Sequence, residues 1–243
     1  MNNNLLSIRQ ISKMLDVSVD SLRRWDKSGK LKSHREKKRS MRYYQEAEIE
    51  KYFRTTDIYK LALKWAAARK QFEPPQFFYS SNSYIFQARL SAFESLLSGG
   101  KEIEPIHSLI VAVAGEIGNN SFDHNLGNWP DIAGVFFGFN FEKKIIVLAD
   151  RGRGVLATLK RVRPGLKNNR DALRVAFTEI ISGRAPESRG NGLKFVRKII
   201  AKNNLKLRFQ SGDAELKINK GEANLKIKKS AKSIRGCIAL IEY

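Results

Sequence analysis

The chain of 243 residues is 42% apolar and carries 45 Lys and Arg against 24 Asp and Glu, a formal charge of +21. That length allows one large domain or two smaller ones, and so basic a surface favours polyanions: DNA, RNA, acidic proteins or anionic membranes. One cysteine, Cys237, excludes a disulfide framework and a cysteine zinc cluster. The opening "MNNNLLSIRQ" lacks the basic start and apolar core of a signal peptide, and the longest apolar run, "LIVAVAG", is far too short to span a bilayer. The expectation is a soluble cytoplasmic protein without membrane contact.

"SIRQISKMLDVSVDSLRRWDKSGKLKS" has helical periodicity in two short pieces. Ile8, Ile11, Met14 and Leu15 form one apolar stripe, and Val19, Leu22 and Trp25 begin the next. "DVS" between them predicts a tight turn, with Ser18 capping the second helix and Gly29 ending it. Two short helices around a tight turn, the second carrying Ser21, Arg23 and Arg24, is the layout of a helix-turn-helix DNA reader. Trp25 is expected to anchor the core. A basic segment, "SHREKKRSMRYY", and a further helix, "QEAEIEKYF", follow.

"ISKMLDVSVDSLRRWDKSGKL" and "RSMRYYQEAEIEKYF" resemble the MerR-type winged helix-turn-helix over roughly residues 5 to 53. The resemblance implies a helix around Ser18 to Trp25 inserted in the major groove of double-stranded DNA, with Ser18, Ser21, Arg23 and Arg24 on it. It also implies a wing that brings Arg39, Arg42 and Tyr43 to the phosphate backbone, although this wing lacks the glycine that often precedes "RYY". Dimers follow from the same resemblance.

"TTDIYKLALKWAAARKQFEPPQ" predicts a helix that ends at Pro74-Pro75 and either joins two halves or pairs with a second copy. "SYIFQARLSAFESLLSGG" predicts an amphipathic helix closed by Gly99 and Gly100. An apolar helix through "HSLIVAVAGEIGNNSFDH" comes next, then two strands, "IAGVFFGFNF" and "KIIVLAD". Helices at "DALRVAFTEIIS" and "LKFVRKIIAKNN" flank a polar stretch, and "LKLRFQ", "AELKIN", "NLKIKK" and "GCIALIEY" read as short strands. The fold class expected is therefore α+β: an N-terminal winged helix-turn-helix (1–54), a linker helix and Pro-containing linker (55–79), and an α/β sandwich (80–243) in which helices cover a mostly antiparallel sheet.

Glu116, Asn120 and His124 recur every four residues, which places them on one helical face. Asp150-x-Gly152-x-Gly154 ends a strand, and Gly190-x-Gly192-Leu193 opens a helix. In this order the three motifs resemble the GHKL ATPase superfamily of gyrase and the histidine kinases, across roughly residues 80 to 243. Regulatory ATPases akin to anti-sigma-factor serine kinases are closest in flavour, echoed in "DRGRGV" and "AFTEIISGRAPESRGNGL".

The resemblance implies ATP and Mg2+ as ligands. A carboxylate accepts the exocyclic amine of adenine, which Asp150 is placed to do, with Gly152 and Gly154 letting backbone approach. An amide oxygen such as that of Asn120 suits Mg2+. Gly190 and Gly192, ahead of Leu193, present amides to phosphate. Glu116 is the candidate to orient or deprotonate the attacking group. His124 is expected to orient neighbours, and Asn119, about 100° round the helix, to be structural.

The expected function is a DNA-binding regulator whose DNA or partner binding responds to ATP and Mg2+, with an ATPase activity in prospect. Two alternatives are a serine/threonine protein kinase acting on a partner and a DNA-targeted ATPase of a defence or DNA-processing system.

Overall fold

The computed structural model describes residues 5–15, 17–35, 40–99, 104–180, 192–222 and 224–243. The chain divides into two compact units, residues 1–58 with 73–79, and 59–72 with 80–243. Of the segment expected to be a linker, Tyr59–Phe72 therefore groups with the second unit and Glu73–Tyr79 with the first.

The first unit begins with β1 (Leu5–Ser7), α1 (Ile8–Leu15) and α2 (Val19–Ser28). The turn between the helices is closed by Ser12, whose carbonyl accepts from Val17 N at 3.1 Å and whose hydroxyl donates to Val17 O at 2.7 Å. Ser18 caps α2 by accepting from Ser21 N, and Gly29 ends it at φ 72°, where only glycine sits without strain. β2 (Tyr43–Gln45) pairs antiparallel with β1, Leu6 opposite Tyr44, and α3 (Glu46–Thr55) follows directly. His34 and Tyr43 exchange backbone hydrogen bonds at 2.7 and 3.0 Å, an antiparallel bridge at the base of the expected wing. Ile11, Leu22, Leu31, Tyr44 and Ile49 are buried. Trp25 stacks on Tyr52 with ring centroids 5.1 Å apart, an aromatic anchor between α2 and α3.

The second unit takes in most of α4 (Ile58–Ala66). After a two-residue strand, β3 (Tyr79–Ser80), come α5 (Ser83–Ser98), α6 (Pro105–Asn125), β4 (Val135–Asn140) and β5 (Ile145–Asp150). α7 (Gly154–Lys160), α8 (Asn169–Thr178) and α9 (Gly192–Lys202) precede β6 (Lys206–Ser211), β7 (Ala214–Ile218), β8 (Lys226–Lys229) and β9 (Cys237–Glu242). Across the sheet these strands run β4-β5-β9-β6-β7-β8, every neighbour antiparallel. β9, last in sequence, thus lies beside β5 at the centre. Alternation sends Val135 and Phe137 of β4, Ile146 and Leu148 of β5 and Phe209 of β6 into one core with Phe86 and Phe93 of α5, Val113 and Ile117 of α6, and Val196 and Ile200 of α9.

Two expectations change. α4 stops at Ala66, eight residues before Pro74, because its last carbonyls find side-chain and backbone partners elsewhere: Trp65 O accepts from the Arg151 guanidinium and Ala66 O from Arg235 N. Trp65 lies 6.4 Å from Phe136, which alternation turns away from the main core, so a helix covers part of the sheet's other face as well. The second change is α7, a short helix that begins at Gly154 itself. No helix among the described residues is long and apolar enough to cross a membrane.

Candidate nucleotide site and nucleic-acid interface

α6 begins with Pro105 in its first turn and runs 21 residues, long enough for one face to enter the core and another to address the end of β5. Asn120 Nδ2 donates to Glu116 Oε1 at 3.1 Å, so the four-residue spacing brings the two together as expected. Asn119 accepts from Gln87 Nε2 at 2.6 Å and is committed to α5. The structure adds a second stripe, one residue on, that the sequence reading lacks: Ser121 and Asn125, both buried.

These two hold the turn after β5. Ser121 Oγ donates to Asp150 Oδ2 at 2.9 Å, while Asp150 Oδ1 accepts from Gly152 N at 2.8 Å. Asn125 Oδ1 accepts from Arg153 N at 2.9 Å, and its Nδ2 donates to Ser121 O at 2.8 Å. Gly152 lies so close to Asn125 that a Cβ would fall 2.2 Å from Nδ2. Gly236 adopts φ 63° over the same carboxylate, where a Cβ would meet Asp150 Oδ1 at 2.2 Å and Gly152 N at 2.7 Å. Gly154, at φ 73°, faces Ser211 Oγ, which accepts from Val155 N at 2.9 Å and so anchors the start of α7. Asp150 is 3% exposed, and burial raises its pKa to about 6 despite the hydrogen bonds from Gly152, Ser121 and Cys237. The same desolvation, with Asp150 nearby, pushes the Cys237 thiol well up. With these three donors on it, the carboxylate keeps about one lone-pair site for a further donor.

The third motif also closes on the first. α9 begins at Gly192, and a Cβ there would fall 1.7 Å from Glu116 Oε1. Glu116 therefore lies against the N-terminus of α9, where the helix dipole favours a carboxylate. Leu193 packs at the edge of the main core. Gly190 and the rest of the polar stretch from residue 181 to 191 lie outside the described residues. A cleft of about 480 Å³ adjoins the glycine turn, bordered by Gly152, Gly154, Asn169, Ser211 and Gly236. None of Glu116, Asn120 and Asp150 lines it.

Among the described residues no group of three or more His, Cys, Asp and Glu is arranged to hold a metal. Asn120, whose Nδ2 donates to Glu116, offers its Oδ1 to a cation; Mg2+ bound with one or two protein oxygens, phosphates and water fits that donor set. The glycine cradles around Asp150 and at Gly192, the buried acceptor and the first amides of α9 fit a nucleotide.

Arg151, between Asp150 and Gly152, is fully buried. Its Nη1 donates to Trp65 O, and its Nε and Nη2 to Asp131 Oδ2, the Nε bond at 2.9 Å. Arg235 Nη1 adds a third donor to that oxygen at 3.1 Å. The turn holding Asp150 is thus tied to the last turn of α4.

In the first unit Ser18, Arg23 and Arg24 are exposed on α2 and Ser21 is half-buried. The Ser18 and Ser21 hydroxyls lie 2.9 Å apart, Arg24 Nη2 donates to Ser21 Oγ at 3.1 Å, and Arg23 pairs with Asp20 at 2.7 Å. Arg42 is placed differently from an outward wing contact. Its Nε donates to Asp26 Oδ2 at 3.0 Å, beside Arg35 Nη2 at 2.9 Å, and Ser33 N donates to Asp26 Oδ1. Burial alone would raise the Asp26 pKa, but these bonds from Ser33, Arg42 and Arg35 outweigh it and hold the carboxyl well below its ordinary range. Asp26 thereby clamps the segment before β2 onto α2. Tyr43 carries the bridge to His34, and Arg39 lies outside the described residues.

The family described as a helix-turn-helix domain matches residues 5–57, which agrees with the geometry of α1, the Ser12 turn and α2. No curated protein matches the chain. The N-terminal unit is a helix-turn-helix domain, a class of module that reads DNA.

Proposed function

We propose that the chain is a DNA-binding regulator whose second unit binds ATP with Mg2+, and that the bound state of that site alters how the first unit engages DNA. The finer family reading is a MerR-type winged module followed by a GHKL-type ATPase domain. Asp150 accepts the adenine amine inside a cradle of Gly152 and Gly236. Asn120 Oδ1 contributes to Mg2+, and the first amides of α9 receive phosphate. When bound, ATP supplies a γ-phosphoryl group that water or a hydroxyl can attack. Glu116, hydrogen-bonded to Asn120, orients or deprotonates the attacking group.

The observation that carries the coupling is Arg151. It belongs to the same turn as Asp150 and donates to Trp65 O in α4, the helix that follows the helix-turn-helix unit in the chain. A change in the turn's geometry reaches α4 through one buried guanidinium.

Calorimetric titration of ATP with and without Mg2+ tests the nucleotide half. Wild type binds in the presence of Mg2+, Asn120→Ala loses the Mg2+-dependent part, and Glu116→Ala keeps binding but loses turnover. No heat of binding to folded wild type under any Mg2+ condition removes the proposal.

A further inference from the structure

The basic charge of this chain is not confined to the helix-turn-helix unit. The first unit holds 14 Lys and Arg against 9 Asp and Glu, whereas the second holds 31 against 15, a formal +16 of the total +21. Between Lys160 and Arg170 the sequence has five cations, Lys160, Arg161, Arg163, Lys167 and Arg170, and no acid. All five are exposed. Arg163 pairs with Glu179, but Lys160, Arg161, Lys167 and Arg170 have no anionic partner among the described residues.

A charge run is ordinarily a solvated face. Three features separate this one. Its backing is ordered: Leu159, Leu166, Ala172 and Val175 form a small core of their own under α7 and α8. The connection between the helices is closed by Arg163 N to Leu159 O at 2.8 Å and Leu166 N to Arg163 O at 3.2 Å, and Asn168 caps α8. The cations are therefore displayed on a fixed support, which limits the side-chain and loop ordering that binding demands. Their mutual repulsion also opposes folding, with no acid interspersed to relieve it. Finally, no large apolar side chain is exposed between Lys160 and Arg170, as insertion into a lipid surface would need.

We propose that the α7–α8 segment, through Lys160, Arg161, Lys167 and Arg170, is a second nucleic-acid contact that grips the phosphate backbone of the duplex read by the helix-turn-helix. Duplex DNA is the partner because the same chain already carries a DNA-reading module. The contact carries no sequence information; it lengthens the footprint and steepens the salt dependence. It does not rest on nucleotide binding, so it is tested without ATP.

The test uses the full chain and two variants: Lys160→Gln/Arg161→Gln/Lys167→Gln/Arg170→Gln, and the charge-keeping exchange Lys160→Arg/Arg161→Lys/Lys167→Arg/Arg170→Lys. Binding to a 40-base-pair duplex is measured over a range of salt concentrations, with single-stranded RNA as competitor and thermal melting as the folding control. The Gln variant is expected to melt like wild type while its log–log salt slope falls by about 3.6, at roughly 0.9 for each of the four phosphates no longer neutralised, and its affinity drops at least about tenfold. The exchange variant keeps the wild-type slope. An unchanged slope in the Gln variant overturns the proposal, as does RNA displacing the duplex from wild type but not from the Gln variant. If the fourfold variant fails to fold, the two double variants, Lys160/Arg161 and Lys167/Arg170, are read by the same criterion.

Discussion

Arg151 and Trp65, 86 positions apart in sequence, meet where the buried guanidinium of one donates to the backbone carbonyl of the other. The contact does two things at once. It satisfies a carbonyl at the end of α4, and it fixes the residue that follows Asp150. Asp131 completes the arrangement, since one of its oxygens accepts from both Arg151 and Arg235.

Arg151→Ala is expected to destabilise the chain by about 3–5 kcal/mol in urea denaturation, because it removes one partner of a buried ion pair and leaves Trp65 O with only the Ala68 N donor at 3.2 Å. Arg151→Lys keeps the charge but cannot reproduce the fork that reaches Asp131 and Trp65 together, and it should lose less. A cost for Arg151→Ala within error of zero would show that the buried pair is not formed.

The glycines around Asp150 make a sharper comparison. Gly152→Ala and Gly236→Ala each drive a Cβ to 2.2 Å from an atom of Asn125 or Asp150, and Gly236 is also at positive φ. Each should cost on the order of 2 kcal/mol or more and weaken ATP binding. Gly165→Ala, with open space around it, should be neutral or stabilise by up to about 1 kcal/mol. Denaturation midpoints and nucleotide titrations of the three variants check this order.

Asp150 gives a pH signature of unusual sign. Its pKa is raised from an ordinary 3.8 to about 6 by burial, so between those values the folded state binds more protons than the unfolded. Its contribution to stability is full below about pH 4 and is lost as pH rises through 6. Asp150→Asn removes that titration. From pH 4.5 to 7.5, the stability of wild type relative to Asp150→Asn should fall by about 2 kcal/mol. A pH-independent difference would mean that the carboxylate is not desolvated.

Glu116 lies against the start of α9, where phosphate is expected. Two anions at one helix terminus repel unless a cation lies between them. Glu116→Gln should therefore raise ATP affinity without Mg2+ by about tenfold, on the order of 1.4 kcal/mol, and flatten the dependence on Mg2+. Equal Mg2+ dependence in the two proteins would place the phosphates elsewhere.

How much of this is legible in the sequence depends on distance along the chain. The helix-turn-helix can be read because each of its signals is local: the apolar stripes of α1 and α2, the Ser18 cap and the Gly29 stop lie within one short stretch. The Glu116–Asn120 contact is legible for the same reason, as helical geometry brings residues four apart together. The β-branched and aromatic richness of "VFFGFN" and "IIVLAD" likewise marks β4 and β5.

What escapes the sequence has remote partners. Ser121 and Asn125 look like ordinary core-edge residues until Asp150 and Arg153 are folded against them. The end of α4 is hidden because the residues that set it, Arg151 and Arg235, come far later in sequence. Arg42 reads as a wing cation, whereas its partner Asp26 lies 16 positions back. Gly236 alone carries a usable signal, a glycine ahead of a strand in a chain with an Asp-x-Gly turn. Even so, only the pairing of β9 with β5 shows where it points.

The most direct test of the coupling is duplex affinity measured with and without saturating ATP and Mg2+, for wild type, Asp150→Asn and Arg151→Lys. Wild type should change its DNA affinity at least about fivefold on ATP binding, the lower end of ordinary coupling energies. Asp150→Asn should show no change because it binds no nucleotide, and Arg151→Lys should bind ATP yet show none. A wild type that binds ATP with unaltered DNA affinity, or an Arg151→Lys variant that keeps the full response, would contradict the account.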